Sequence, residues 1–205
     1  MQQNAILLRA ALALALALPG LAANSVSNTT THAVHTTLSA ALAALEADGQ
    51  TLVLAPGAYT EPELLIQWAV TLQGADAAST FLQPATTPGA AASRVATVDI
   101  PPEYAVELPV IFERLSLRHG NTTGNGGALL VHAGDVLLRH CAVSNNLASG
   151  QGGGLFCMSS ADASLSAEEC VLARNAAGTQ GGGAARGSYL RCTFTANNAT
   201  DGGAS

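Results

Sequence analysis

Apolar side chains recur along this chain with two different periods. Residues 37–47 read TLSAALAALEA, which sets Leu38, Leu42 and Leu45 on one helical face, and Asp48-Gly49 ends the run. The spacing predicts one short amphipathic helix over 37–48. Beyond it the rhythm shortens to that of strands, with apolar or alternating runs at 51–55, 64–66, 69–73, 81–82, 94–100 and 106–117. Pro56-Gly57, Gly74, Pro84, Pro88, Pro101-Pro102 and Pro109 punctuate them. Short strands, frequent turns and no second long helix predict an all-β chain. Residues 24–36 are polar, rich in Thr and without a usable period, so a flexible lead-in is expected there. Residues 85–93, rich in Ala, Thr, Pro and Gly, are expected to form a protruding loop.

The second half of the chain repeats. Cys141-Ala-Val-Ser-Asn-Asn146, Cys170-Val-Leu-Ala-Arg-Asn175 and Cys192-Thr-Phe-Thr-Ala-Asn197 share a Cys, an apolar residue two places on and an Asn at the sixth place. Leu115-Ser-Leu-Arg-His-Gly-Asn121 fits the same frame with one residue slipped. A glycine cluster follows each block and closes at Gly127, Gly154, Gly183 and Gly203. The Asn-to-Asn intervals are 25, 29 and 22 residues, so one loop varies while the frame stays fixed. A unit of this length cannot bury its apolar face alone. Stacking unit on unit buries it, each strand lying parallel to its counterpart about 4.8 Å away.

Alternation within the frame then sends Cys141, Cys170 and Cys192 inward with Val143, Leu172 and Phe194. After the glycines the residues expected inside are Leu129 and Val131, Phe156 and Met158, and Ala185. Asn146, Asn175 and Asn197 are expected to stack at a tight turn, because Asn tolerates left-handed backbone and its amide can bond the Asn of the next unit. Gly127, Gly154, Gly183 and Gly203 are expected at the other corner, where positive φ or close backbone approach excludes a Cβ. All of these are structural assignments.

Composition narrows the partners. The net charge is −6, and all eight basic residues are Arg, without a cluster that could neutralise phosphates, so nucleic acid is excluded as a partner. Residues 1–23 carry Arg9, an apolar run from Ala10 to Leu18, Pro19-Gly20 and the small residues of a cleavage site, which is the pattern of a secretory signal peptide. The run is far shorter than the roughly 20 residues a membrane-spanning helix needs, and no later segment spans either. A secreted or cell-surface location follows as the expectation. In an exported chain four Cys admit disulfides. In-register parallel neighbours, however, hold their Cβ atoms wider than a relaxed bridge prefers, so buried thiols are the favoured expectation. Asn28, Asn121 and Asn198 begin glycosylation sequons.

The opening of the strand region, residues 51–84 with Pro56-Gly57-Ala58-Tyr59 and Gly74, resembles the first coils of the pectate-lyase-like superfamily. That resemblance implies a right-handed parallel β-helix solenoid with the helix at 37–48 as its N-terminal cap. The second half resembles the repeats of chlamydial polymorphic outer-membrane proteins: Gly126-Gly-Ala-Leu129 and Phe194-Thr-Ala-Asn197 match their Gly-Gly-Ala-Ile and Phe-x-x-Asn elements. The implied domain plan is a signal peptide at 1–23, a lead-in at 24–36 and a β-helix over 37–205. Its repeats at 115–205 are expected to be truncated at the C-terminus.

Catalytic chemistry of that superfamily is harder to place. Its lyases use calcium held by several acids, yet Asp135, Asp162, Glu168, Glu169 and Asp201 do not align between repeats, and neighbouring Glu168 and Glu169 point to opposite faces of a strand. Its hydrolases resemble one another in paired Asp and a Gly-His-Gly segment, and neither occurs here. Asp99, Glu103, Glu107 and Glu113 form the densest acid stretch, expected as a solvated edge. His32 and His35 lie in the lead-in. His119, His132 and His140 are expected to face solvent, and the pairs Arg118-His119 and Arg139-His140 are not expected to form a column. No catalytic residue, metal ligand or cofactor site is assigned. The expected function is an exported surface or extracellular protein with a non-catalytic, adhesin- or stalk-like role. Its class of partner would be an extracellular carbohydrate or a host or neighbouring cell surface. The alternative is a polyuronate lyase, hydrolase or esterase whose catalytic coils are missing or unrecognised.

Overall fold

The computed structural model describes residues 24–101 and 108–201. The expected signal peptide at 1–23, the first residues of the 106–117 run and Gly203 lie outside them. Strand accounts for 46 % of the described residues and helix for 3 %, so they form an all-β structure.

The helix forms over Leu38–Ala43, shorter than the 37–48 expected. A helix of this length is not stable alone, and three contacts fix it. Thr37 caps it, its Oγ1 accepting the Ala40 N–H at 3.2 Å. The Glu61 carboxylate accepts the N–H groups of Leu38 and Ser39 at 2.7 and 2.8 Å, placing negative charge where the helix dipole is positive. Leu38, Leu42 and Leu45 are all buried in the core.

Strands fall into parallel columns. The first holds Gln50–Leu54, Val70–Gly74, Val110–Glu113, the second half of Leu129–Arg139, Ala163–Glu168 and Ser188–Leu190. The second holds Gly57–Thr60, Thr80–Gln83, Ser116–Arg118, Ala142–Ser144, Val171–Ala173 and Thr193–Thr195. The third holds Leu64–Ile66, Ala96–Asp99, the first half of Leu129–Arg139, Leu155–Cys157 and Ala184–Ala185. From residue 121 a fourth, narrow column intervenes at Asn121–Thr122, Leu147–Ala148, Ala176–Ala177 and Asn198–Ala199. The chain visits the columns in one fixed order and pairs each strand with its counterpart a circuit earlier. Because Leu129–Arg139 serves two columns, the first and third join in a curled 12-stranded sheet.

Residues 24–36 are not the flexible lead-in expected. Val26–Asn28 pairs antiparallel with Gln50–Leu54 and with Val34–His35. Its alternation is too short to register as a strand pattern, but Val26 is fully buried and the Asn28 carboxamide oxygen accepts the N–H groups of Thr30 and Thr31 to close the turn. The Tyr59 hydroxyl ties this segment down, lying 2.8 Å from both the Ser25 and the Ala55 carbonyl oxygens. The 106–117 run divides into Val110–Glu113 and Ser116–Arg118, because Arg114 turns the corner between them at φ 55°.

The interior follows the Cys frame as far as Leu172. Val143 and Leu172 are fully buried, whereas Phe194 is half-buried. After the glycines the expected register is wrong by one residue for the later units. Leu129 and Val131 pair with Leu155 and Cys157, and Leu155 with Ala184, so these face the core. Met158 is 38 % exposed, Ala185 is half-buried, and Phe156 is buried on the outer side, with the Arg186 guanidinium 6.0 Å from its ring. The slip arose from aligning the last glycine of each cluster: Gly127 stands over Gly153 and Gly182, while Gly154 and Gly183 stand in line with Ala128.

Leu172→Ala empties a sealed site and is expected to lower stability by about 2–5 kcal/mol. Phe194→Ala, at a half-open site, should lower it by about 1–2 kcal/mol. Urea denaturation of both variants checks this, and the reverse order would contradict the packing described.

Candidate functional site

The most organised polar structure in the molecule is the column of Asn146, Asn175 and Asn197 at the corner leaving the second strand column. Asn146 and Asn175 are 1 % exposed. Each carboxamide is consumed by neighbouring circuits. Asn175 Nδ2 donates to the Val143 carbonyl at 2.9 Å and to Asn197 Oδ1 at 3.1 Å, while its Oδ1 accepts the backbone N–H and Nδ2 of Asn146 at 3.1 and 2.9 Å. Asn146 Nδ2 also donates to the Leu117 carbonyl, and Asn197 Nδ2 to that of Leu172. The backbone of Asn175 repeats the pattern by donating to Asn197 Oδ1 at 3.0 Å.

Two details differ from the sequence reading. The left-handed residue of the turn is the one before each Asn of the column and before Gly120: His119, Asn145, Arg174 and Ala196 have φ of 63°, 56°, 54° and 52°. Each Asn is therefore retained for its amide, not for its backbone. The column also ends on Gly120, not Asn121, since Asn121 pairs with Leu147 and the Gly120 N–H donates to Asn146 Oδ1 at 2.9 Å. A Cβ on Gly120 would lie 1.9 Å from the Gly127 carbonyl oxygen, so no side chain fits there. The first interval is accordingly 26 residues, as Leu117 beside Val143 shows.

Cys141 and Cys170 are buried, Cys192 is half-buried, and all three thiols are free, as is Cys157 in the third column. The Cys141 backbone N–H donates to Cys170 Sγ at 3.4 Å, and each thiol donates to the carbonyl two residues before it, those of Arg139, Glu168 and Leu190. Burial, then hydrogen bonding with Cys170, pushes the Cys141 thiol well above its ordinary pKa. Burial also raises Cys192. Such thiols are poor nucleophiles and behave as small apolar residues. At the glycine corner, Gly126, Gly152 and Gly181 take the positive φ of 68°, 65° and 66°. Gly127 and Gly154 instead admit no Cβ because it would lie 2.1 and 2.3 Å from the carbonyl oxygens of Gly153 and Gly183 in the next circuit, and a Cβ on Gly183 would lie 2.8 Å from the Phe194 ring.

Charged groups line the other corner. Glu113, Arg139 and Glu168 lie in register on successive strands, and the residues after them, Arg114, His140 and Glu169, followed by Arg191, all take left-handed φ. Glu169 bridges His140 at 3.2 Å and Arg191 at 2.8 Å, and Arg139 meets Glu168 at 3.3 Å. Arg139-His140 stacks with Glu168-Glu169 while Arg118-His119 belongs to the Asn corner, so the two Arg-His pairs form no column, as expected. Exposed pairs of this kind contribute about 0–1 kcal/mol each. His119 is buried, its Nδ1 3.2 Å from the Ala85 carbonyl oxygen, against the expectation that it faces solvent. His132 faces solvent and lies 2.8 Å from Asp99.

Two further groups carry no local sequence signal. Arg94 reaches across the third column to Glu63 at 2.8 Å and to the carbonyls of Asn125 and Gly126. A cleft of about 380 Å³ opens between the helix and residues 63–68, lined by Leu42, Glu63, Leu65, Gln67 and Trp68. Among the described residues no three His, Cys, Asp or Glu side chains come close enough to hold a metal ion, and no helix is long and apolar enough to cross a membrane. Compared with protein-family models, with curated proteins and with solved structures, the chain finds no match.

Asn175→Ala is expected to lower stability by about 1–3 kcal/mol, since it strands the Asn146 amide and the Val143 carbonyl in the interior. Asn197→Ala, which removes fewer bonds, should lower it by less, and equal losses in denaturant melts would contradict the column. His119 supplies a pH dependence. Burial holds its pKa below the ordinary 6.5, so the unfolded chain binds the proton more readily. Stability is then full above the unfolded value near 6.5 and falls as pH drops toward the folded one. The melting temperature should decline between about pH 7 and pH 5 in the native chain, and less in His119→Asn, where Asn keeps the left-handed turn.

Proposed function

We propose that the chain is a right-handed parallel β-helix of the pectate-lyase-like kind, serving outside the cell as a non-catalytic structural or binding protein. The hand is supported by a general rule: parallel strands joined by crossovers within a sheet are right-handed in about 98 % of cases. The observation that carries the functional reading is what the repeated residues do. Asn146, Asn175 and Asn197 spend their amides on adjacent circuits, Cys141 and Cys170 are buried thiols, Gly127 and Gly154 make room for backbone, and Gly183 makes room for the side chains of Phe194 and Asn197. A catalytic ladder would leave its polar atoms pointing at a substrate, and these point at the next circuit.

Export follows from the signal-peptide pattern at 1–23. The glycine and Phe-x-x-Asn elements support kinship with the polymorphic outer-membrane repeats, whose setting is the cell surface. The partner class is an extracellular carbohydrate or another cell's surface, met by the outer faces of the strand columns. The protein should release no product from pectin, pectate or alginate, with or without calcium, as read by reducing-end and unsaturated-uronate assays. Turnover abolished by Asp99→Asn or Glu113→Gln would overturn the proposal in favour of a polysaccharide-active enzyme.

A further inference from the structure

The outward side chains of the strand Leu64–Ile66 form one wall of the cleft beside the helix. Leu64 and Ile66 are at most 4 % exposed, so alternation turns Glu63, Leu65 and Gln67 to the outside. Leu65 is 52 % exposed there. Trp68 follows at the corner, half-buried against the core, and the helix Leu38–Ala43 supplies the opposite wall through Ser39 and Leu42. At about 380 Å³ the cleft falls within the range of small-molecule sites, about 300–1,000 Å³.

Its polar groups are held in place by their neighbours. Glu63 Oε1 accepts from Arg94 Nη1 at 2.8 Å and from Thr97 Oγ1 at 2.5 Å, while Glu63 Oε2 has no partner among the described residues. The Gln67 carboxamide also bonds to none of them. The Ser39 hydroxyl donates to Glu61 at 2.5 Å and keeps its capacity to accept. Arg94 is fully committed, because its Nε and Nη2 donate to the carbonyls of Gly126 and Asn125. The cleft thus sets an indole and a leucine beside an anchored carboxylate oxygen, an amide and a hydroxyl.

We infer that this cleft binds a neutral oligosaccharide of equatorially substituted pyranoses. A pyranose has a flat C–H face, which packs on Trp68 and Leu65, and a rim of hydroxyls, which donate to Glu63 Oε2 and exchange bonds with Gln67 and Ser39. Equatorial substitution keeps that face flat. A uronate fits less well, since its carboxylate meets Glu63 while Arg94 has no hydrogen left to offer it. A purely apolar ligand strips water from Glu63 and Gln67 and returns no bond. The inference deepens the proposed carbohydrate-binding role and rests on it for the class of partner. The turnover assays read product from acidic polymers, whereas the titration below reads a neutral ligand at one side chain, so the two fail separately.

Trp68 is the only tryptophan of the chain, so its emission reports on this cleft directly. The intact protein is titrated with cellotetraose, with β-1,4-mannotetraose, whose 2-hydroxyls are axial, and with β-1,4-tetraglucuronate, the C6-oxidised counterpart of cellotetraose. Cellotetraose is expected to change the emission saturably and to bind more tightly than mannotetraose. Tetraglucuronate should bind about tenfold more weakly than cellotetraose, the effect of one unrelieved like-charge contact. Gln67→Ala, at an exposed position, should weaken cellotetraose about three- to tenfold, the loss of one hydrogen bond, with an unchanged urea midpoint. No saturable change with cellotetraose would overturn the proposal, as would mannotetraose or tetraglucuronate binding equally well, or Gln67→Ala binding like the native chain. Emission and mass that change together with protein concentration in the absence of sugar would also overturn it, by giving the cleft to a second copy.

Discussion

A carboxamide held at 1 % exposure must find acceptors for its N–H groups and donors for its oxygen, and at Asn146 and Asn175 these come from the circuits on either side. That requirement sets the register of the whole second half. A one-residue slip between circuits would strand several buried polar groups at once, each at about 1–3 kcal/mol. It would also turn the apolar set of every strand to the outside. A two-residue slip keeps the apolar side chains inward, so alternation alone tolerates it; the amide column does not.

With the register fixed, the other repeated features find their places. The turn into the Asn column needs one left-handed residue, supplied by His119, Asn145, Arg174 and Ala196, and their variety shows that backbone geometry and not side chain is demanded there. The glycine corner is stricter, because Gly127, Gly153 and Gly182 pass so close to the next circuit that a Cβ would meet its backbone below 3 Å. Loop length is free between these corners, which is why intervals of 26, 29 and 22 residues coexist in one stack.

Much of this was legible because the repeat is written in residues with few alternatives. Asn at the sixth place and Cys at the first identified the column, and the Cys frame correctly put Val143 and Leu172 inside. The glycine alignment failed because a run of three glycines has no internal landmark. Counting from its end placed Met158 and Ala185 inside, when Cys157 and Ala184 hold those positions. The strand at Val26–Asn28 was illegible for another reason: it is three residues long and held by Tyr59 and Gln50 from elsewhere in the chain. Likewise no local pattern marks Glu61, and only the fold brings its carboxylate to the helix N-terminus 23 residues away.

The chemistry that remains for function lies on the outer faces of the strand columns, since the repeated residues are occupied with one another. The central claim is that Asn146 and Asn175 act as one unit, and a double-mutant cycle measures it directly. Asn146→Ala, Asn175→Ala and the double variant are compared by urea denaturation. The two losses should be strongly non-additive, with a coupling of about 1–3 kcal/mol, because the second substitution removes a partner already stranded by the first. Losses that add to within about 0.5 kcal/mol would show that the amides stabilise their own turns independently and that the column does not set the register.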